Sequence, residues 1–475
     1  MSYLEHSAVN KYLSLLCVLM GVTLAHSAAK AADDRPNLLV IITDQQHAGM
    51  MSCAGNEWLK TPAMDRLAAE GVRFQRAYAA NPVCLPARFS MLTGLYPSAI
   101  GVRHNGSRVE KNVADMPRRA MGNLLRRAGY ETAYGGKVHL PGPMNDIVKC
   151  GFKKITAKQR EPLAEACEKF LARKHEKPFL LVASFINPHD ICYMAIRAHD
   201  SDSFLAKRTP QPLFEALKLP DGVAREEFFA KHCPPLPANF EPTEGEADAI
   251  GGLIDLRPFR RHVRDNWTAS DWRLHRWAYC RLTERVDAQV GRVLDALDKY
   301  GLKNDTVVIF TSDHGDMDAA HRMEHKTTFY EESVDVPFIV RYPGRAKKGL
   351  VDDKHLISAG LDLLPTLCDY AEVEPPDDLP GRSVRPLAEG IAVDDWRKSL
   401  IVENQIGTMV HSGRYKYSRY DTGKVREMFI DLQADPGEMK NLIDDPAYRE
   451  VIGDHRKRLD EYLDRQKRRG AEIAR

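Results

Sequence analysis

Residues able to do chemistry come in short bursts along this chain, each at the end of an apolar run. Asp44-Gln45 follows Asn37–Thr43, and Lys137 and His139 follow in Gly135-Gly-Lys-Val-His139. Asn187-Pro-His189-Asp190 and Ser312-Asp313-His314-Gly315-Asp316 close two further runs. One such burst means little, but four at strand ends argue a single polar site, because ligands of open α/β sheets collect outside the carboxyl ends of the strands. The stretch Cys84-Leu-Pro-Ala-Arg88 adds a nucleophile. Pro86 suits the first turn of a helix over Pro86 to about Leu92, so Cys84 is expected just before that helix. Such an end presents unpaired N–H groups and partial positive charge, an anion site toward which Arg88 can turn its fork. A buried thiol ahead of an amphipathic helix fits the same five residues.

The elements that must position these residues follow from periodicity. The runs Asn37–Thr43, Glu131–Gly135, Phe179–Ile186 and Thr306–Thr311 read as buried parallel strands. Helical patterns lie between them. One opens at Thr61-Pro62, with Thr61 as N-cap, and stops at Gly71; another follows Asp271 and ends at Gly301. The expected fold class is α/β, a large mixed and mostly parallel sheet flanked by helices. Residues 191–265, rich in Pro and charge, read as an insertion over the sheet that shapes specificity. From about residue 395 the pattern changes. Arg414–Tyr420 and Glu427–Asp431 around Asp421-Thr-Gly423 predict a hairpin, and a charged helix follows over about Pro446–Gln466. The organisation expected is therefore a targeting segment over 1–31, one α/β domain over 35–394, and a small α+β subdomain over 395–475.

Lys11 precedes the apolar run Tyr12–Leu24, which is too short to span a bilayer, and Ala29-Lys30-Ala31 fits a signal-peptidase site. A secreted or periplasmic mature protein, with no membrane attachment, is expected. The 68 Lys and Arg nearly balance 66 Asp and Glu, which removes any global reason to expect nucleic acid as a partner. Of nine cysteines, Cys17 falls in the targeting segment and Cys84 in the motif; the other seven leave at least one thiol unpaired. No C-x-x-C occurs, against a zinc knuckle or a thioredoxin-like motif. His321 and His325 stand four apart, but no Glu follows His321 directly, so a separate zinc site there is not expected.

With these motifs in place, the chain resembles the sulfatase family of the alkaline phosphatase superfamily. Cys84-Leu-Pro-Ala-Arg88, continuing to Leu92-Thr-Gly94, is similar to the family signature C-x-(Pro/Ala)-(Ser/Ala)-Arg, which directs oxidation of its cysteine to formylglycine. The similarity runs from Pro36 to Asp431-Leu-Gln-Ala-Asp-Pro-Gly-Glu438. The resemblance implies a divalent cation held by Asp44, Asp313 and His314, with Gln45 as a further protein ligand and position 84 alongside. Ca2+ is the first expectation, since it favours hard oxygen donors. Many family members carry Asp where this chain has Gln45, and Asn where it has His314, and the imidazole nitrogen would admit Mn2+ or Zn2+.

The resemblance also assigns roles. A hydroxyl of hydrated formylglycine attacks sulfur, and the second hydroxyl then re-forms the aldehyde and expels sulfate. Arg88 orients position 84, Lys137 and Lys326 hold sulfate oxygens, His139 assists release, and His189 serves the leaving alcohol. Arg103 and His104 lie just beyond the nucleophile helix, where they meet substrate or form an ordinary basic loop. The partners implied are a sulfated small molecule or glycan and a formylglycine-generating maturation enzyme. A phosphonate monoester or phosphodiester hydrolase with the same nucleophile is the alternative, toward which Gln45 and His314 lean. An inactive binding protein is disfavoured because no member of the set is missing.

Overall fold

Alternation along the first strand, β1 (Asn37–Asp44), explains the layering. Leu38, Val40 and Ile42 face one core, and Leu39 and Ile41 face the other. A strand buried on both faces must lie inside a sheet covered by helices on each side. The computed structural model describes residues 34–107 and 115–473, and the expected targeting segment, with Cys17, lies outside them. Pro36–Arg475 falls into one compact unit.

The large sheet has eight strands. After β1 come β2 (Val72–Phe74), β3 (Glu131–Gly136), β4 (Lys153–Thr156), β5 (Phe179–Pro188), β6 (Thr306–Ser312), β7 (Phe338–Arg341) and β8 (Leu350–Asp352). Their spatial order is β4-β3-β5-β1-β6-β7-β2-β8. The five strands from β4 to β6 are mutually parallel, and only β7 runs against its neighbours. One face is covered by α1 (Pro62–Glu70), α3 (Glu161–Leu171) and α4 (Ala269–Lys299), whose Leu67, Phe170 and Val290 meet Leu39 and Ile41. The other is covered by α2 (Cys84–Thr93) and α5 (Ala359–Tyr370), through Phe89, Leu92 and Leu364.

The parallel register decides where the site forms. Gly136 pairs with Ser184, Ser184 with Ile42, and Ile42 with Thr311, so one level of the sheet precedes Lys137, Asp44 and Asp313 together. Gly136 has a φ of 95°, and a Cβ there would meet the Ser184 carbonyl oxygen, so only glycine lets β3 turn Lys137 into the site.

Several expectations need correction. The helix begins at Cys84 itself, with Val83 as its N-cap, so Cys84 lies in the first turn rather than ahead of it. Thr61 precedes α1, but its hydroxyl is spent on Ser52 and Asp65. The α1 N–H groups of Ala63 and Met64 are capped by the Asp287 carboxylate of α4 instead, at 3.1 and 2.9 Å. Within residues 191–265, Cys192–His199, Gln211–Ala216, Asp248–Asp255 and Pro258–Asn266 are helical.

The C-terminal hairpin is half of a larger antiparallel sheet, β9 (Leu400–Glu403), β10 (Gly407–His411), β11 (Tyr415–Tyr420) and β12 (Glu427–Asp431), packed against α6 (Arg449–Ile473). All eight described cysteines are unpaired. No helix among the described residues is long and apolar enough to cross a membrane.

Candidate active site

At the carboxyl edge of the sheet the strand ends converge on Cys84. Its Sγ lies 3.1 Å from His314 Nε2 and 3.9 Å from Asp44 Oδ1. One ligand atom from each of Asp44, Cys84, Asp313 and His314 falls within 4.8 Å of the others, and all four residues are buried. His314 is held by its other nitrogen, 2.9 Å from the Gly315 carbonyl, which leaves Nε2 to face the cluster. No other group of three or more such residues is spaced to hold a metal among the described residues. His321 is not part of one: it stacks on Tyr330 at 3.8 Å, with Nδ1 beside the Thr243 hydroxyl.

Arg88, one turn beyond Cys84, ties the cluster together. Its guanidinium donates to Asp313 (2.8 Å), Asp44 (2.8 Å), Ser184 Oγ (2.7 Å) and the Lys137 carbonyl (3.0 Å). Lys137 Nζ meets Asp44 at 2.5 Å. His189 Nε2 stands 4.0 Å from the same carboxylate. Two buried carboxylates so close oppose each other's ionisation, and the cations decide the balance. Burial and the neighbouring thiolate push Asp44 up, yet Lys137, His189 and Arg88 hold it below the usual carboxylate range. Asp313 is raised by burial and by Asp44, against His314 and Arg88.

The electrostatics favour a nucleophilic anion at position 84. Burial pushes its thiol up, but Lys137, Lys326, His314 and a hydrogen bond from His139 bring it well below an ordinary thiol. Burial lowers His314, but Asp313 and the thiolate outweigh it and raise its affinity for a proton. The negative neighbours that hold that proton are equally suited to a divalent cation. Burial, Lys326 and Lys137 push His189 down to about 4, so its imidazole is neutral near pH 7. Non-glycine residues with positive φ crowd the rim, including Gln45 (68°), His139 (50°) and His325 (70°). Such conformations persist where surrounding structure enforces them, commonly at functional sites.

The structure therefore brings Asp44, Arg88, Lys137, His139, His189, Asp313, His314 and Lys326 around Cys84. Gln45 and His104 stand differently. The Gln45 amide oxygen accepts from the Lys326 ammonium and the Cys192 thiol (3.1 Å), and its nitrogen donates to Asp316 (2.5 Å). That amide links Lys326, Cys192 and Asp316 beside the carboxylate cluster. His104 accepts the Gly106 N–H within its own loop, while its neighbour Asn105 receives the N–H of Leu85 at 3.0 Å. Sequence reasoning passed over Ser184, Asp316 and Cys192. Ser184 had a signal, as a lone hydroxyl in the apolar run of β5, and Asp316 stood in a quoted motif; Cys192 had none.

A buried carboxylate–imidazole cluster facing a nucleophile, at the carboxyl edge of a mostly parallel sheet, defines an ester hydrolase of the alkaline phosphatase-like fold. A family model described as Sulfatase matches residues 36–373, and one described as N-sulphoglucosamine sulphohydrolase, C-terminal, matches residues 319–466. The chain belongs to the sulfatase family and is an enzyme of that class. It is 30% identical over 484 residues to the Delta 4,5-hexuronate-2-O-sulfatase of Bacteroides thetaiotaomicron, covering 94% of this chain and 92% of that protein. A solved 2-O GAG sulfatase superposes with a TM-score of 0.77 at 29% identity, over 91% of this chain and 93% of the other. The phosphonate monoester hydrolase of Agrobacterium radiobacter shares the fold, with a TM-score of 0.71 at 22% identity over 91% and 96% of the two chains.

Proposed function

We propose that this sulfatase hydrolyses a sulfate ester on a carbohydrate, with position 84 oxidised to formylglycine beside a divalent cation, Ca2+ first. The observation that carries this reading is the buried group of Asp44, Cys84, Asp313 and His314, with Arg88, Lys137 and Lys326 closing around it. Relatives named for sulfated sugars support the substrate class. Two carboxylates and one imidazole fit a hard or borderline cation, and Asp44, Asp313 and His314 would hold it. The cation supplies positive charge that acidifies a hydroxyl and offsets developing charge on oxygen. The Cys84 sulfur marks where formylglycine oxygens would sit.

The chain's own residues then have distinct tasks. Arg88 fixes both carboxylates and keeps position 84 in register with them. Lys137 and Lys326 neutralise sulfate oxygens, since fixed cations in a buried site need no reorganisation as charge develops. His139, beside position 84, takes the proton whose loss expels sulfate. His189 faces the leaving oxygen. It is neutral in the free site because Lys326 and Lys137 repel its proton, and an incoming sulfate ester offsets that repulsion. Export through the 1–31 segment, and maturation by a formylglycine-generating enzyme, complete the reading.

The test is direct. Protein co-produced with a maturation enzyme is assayed on an aryl sulfate, an aryl phosphonate and an aryl phosphodiester. The sulfate is expected to be the preferred substrate; preference for either phosphorus ester would overturn the reading. The tryptic peptide bearing Cys84 should show the mass change of –CH2SH to –CHO, and an intact thiol in fully active enzyme would exclude formylglycine.

A further inference from the structure

A large cavity lies away from the cluster around Cys84, between the large sheet's helices and the C-terminal sheet. It has a volume of about 800 Å3 and is walled by Ser358 and Leu361 of the α5 end, by Pro380–Arg382, by β9 and by one side of α6. Five arginines line it: Arg382, Arg397, Arg458, Arg465 and Arg468.

Their charges are unequally compensated. Arg397 is paired with buried Asp362, and Asp378 at the rim is paired with Arg119. The Arg382 guanidinium donates to the Asp395 carbonyl, its backbone N–H to Asp362, and Arg458 donates to the Ser399 hydroxyl at 3.2 Å. Arg465 and Arg468, exposed on α6, have no acidic partner among the described residues. Glu461 is the one remaining acid in the wall among the described residues. Ser358, only 3% exposed at the N-terminus of the 12-residue α5, has a buried hydroxyl with no hydrogen-bond partner. A cavity with excess guanidinium charge and an unsatisfied hydroxyl is built for an anion, and planar guanidinium forks match sulfate and carboxylate.

Its position suggests which anion. Gln466 also lines a second cavity of about 190 Å3, which contains Arg103, Arg419 and Arg426. Arg103 belongs to the loop whose Asn105 holds the Leu85 N–H, next to Cys84. Arg103 is paired there with Asp421 and Arg419 with Asp460, so this second cavity links the loop beside the nucleophile helix to the arginine cavity, while the uncompensated charge lies in the larger one. Nucleic acid fits poorly, because base stacking needs open aromatic faces. The two tyrosines in the wall, Tyr96 and Tyr462, are 8% and 2% exposed, and the Tyr462 hydroxyl is bonded to Glu403.

We infer that the arginine cavity is a second glycan-binding site, which holds a sulfated or uronate-bearing stretch of the same chain whose sulfate ester lies at Cys84. This rests on the proposed glycan sulfatase reading and extends it from a single residue to a polymer. The test uses the full chain in a Cys84→Ala background, so that no sulfate is removed during titration. Chondroitin sulfate oligosaccharides from disaccharide to decasaccharide, unsulfated hyaluronan of equal length, and oligo(dT) are titrated against it, with and without Arg465→Ala plus Arg468→Ala. The decasaccharide is expected to bind about tenfold more weakly to the arginine-depleted protein, and the effect should shrink with added salt. The disaccharide should bind both proteins equally, and the same double substitution in the Cys84 enzyme should leave aryl sulfate turnover unchanged. Equal decasaccharide affinity for both proteins would overturn the inference, as would oligo(dT) binding as tight as the decasaccharide. Because binding is read without turnover, failure of the sulfatase reading would show separately, in the aryl sulfate assay.

Discussion

Arg88 uses all three guanidinium nitrogens on four partners, which belong to or follow four different strands. A lysine would keep the charge but could not hold both carboxylates and Ser184 at once. Arg88→Lys is therefore expected to lower kcat/KM for an aryl sulfate by about 10²–10³-fold, the effect of losing one preorganised charge contact, while a circular-dichroism spectrum stays native. Unchanged turnover would remove Arg88 from the machinery. At the same scale, a chelator should abolish turnover and lower Tm, because a cation bound only to the folded state adds to its stability. Added Ca2+ should restore both. Full activity in the chelated protein would exclude the cation.

At the scale of the element, α1 illustrates how a helix can be capped from outside its own sequence. Asp287 of α4 accepts the Ala63 and Met64 N–H groups, and burial pushes its carboxyl up to about 6 against those hydrogen bonds. In the unfolded chain the group titrates near the ordinary value of about 3.9. The folded state thus binds the proton more tightly, so this contribution is complete below about pH 4 and is lost as pH rises through about 6. Asp287→Asn removes the titration and one of two cap bonds, the latter worth roughly 1 kcal/mol at any pH. The Tm advantage of the parent over Asp287→Asn should accordingly shrink between about pH 4 and about pH 7. A difference independent of pH would show that Asp287 does not titrate there.

At the scale of the molecule, the C-terminal sheet is tied by a buried charge to the segment that carries Glu331. Lys416 of β11, 2% exposed, lies 2.8 Å from Glu331 and 2.6 Å from Glu438. Glu438 is raised to about 8, by burial first and then by Glu331 and Glu332, while Lys416 and His411 hold Glu331 low. One lysine therefore balances one ionised carboxylate. Lys416→Met should destabilise the fold by about 3–5 kcal/mol, since it strands that carboxylate in the interior. Denaturant unfolding measures this, and a loss below about 1 kcal/mol, the range of an exposed pair, would mean that water reaches the site.

Much was legible from the order of residues alone. Short apolar runs closed by Asp44, Lys137, His189 and Asp313 identified the strands, and parallel strands joined by helices must carry their carboxyl ends to one edge. The polar cluster was thus implied by local patterns and by chain connectivity. What tertiary structure alone decided are pairings between residues hundreds of positions apart: Gln45 with Lys326, Asp287 with α1, Lys416 with Glu331, and the arginine cavity between α5 and α6. No periodicity records them, because each depends on which faces meet once the helices pack. That is also why the Gln45–Lys326 contact is not legible in the sequence, and why the thiol expected just outside its helix opens the first turn of it.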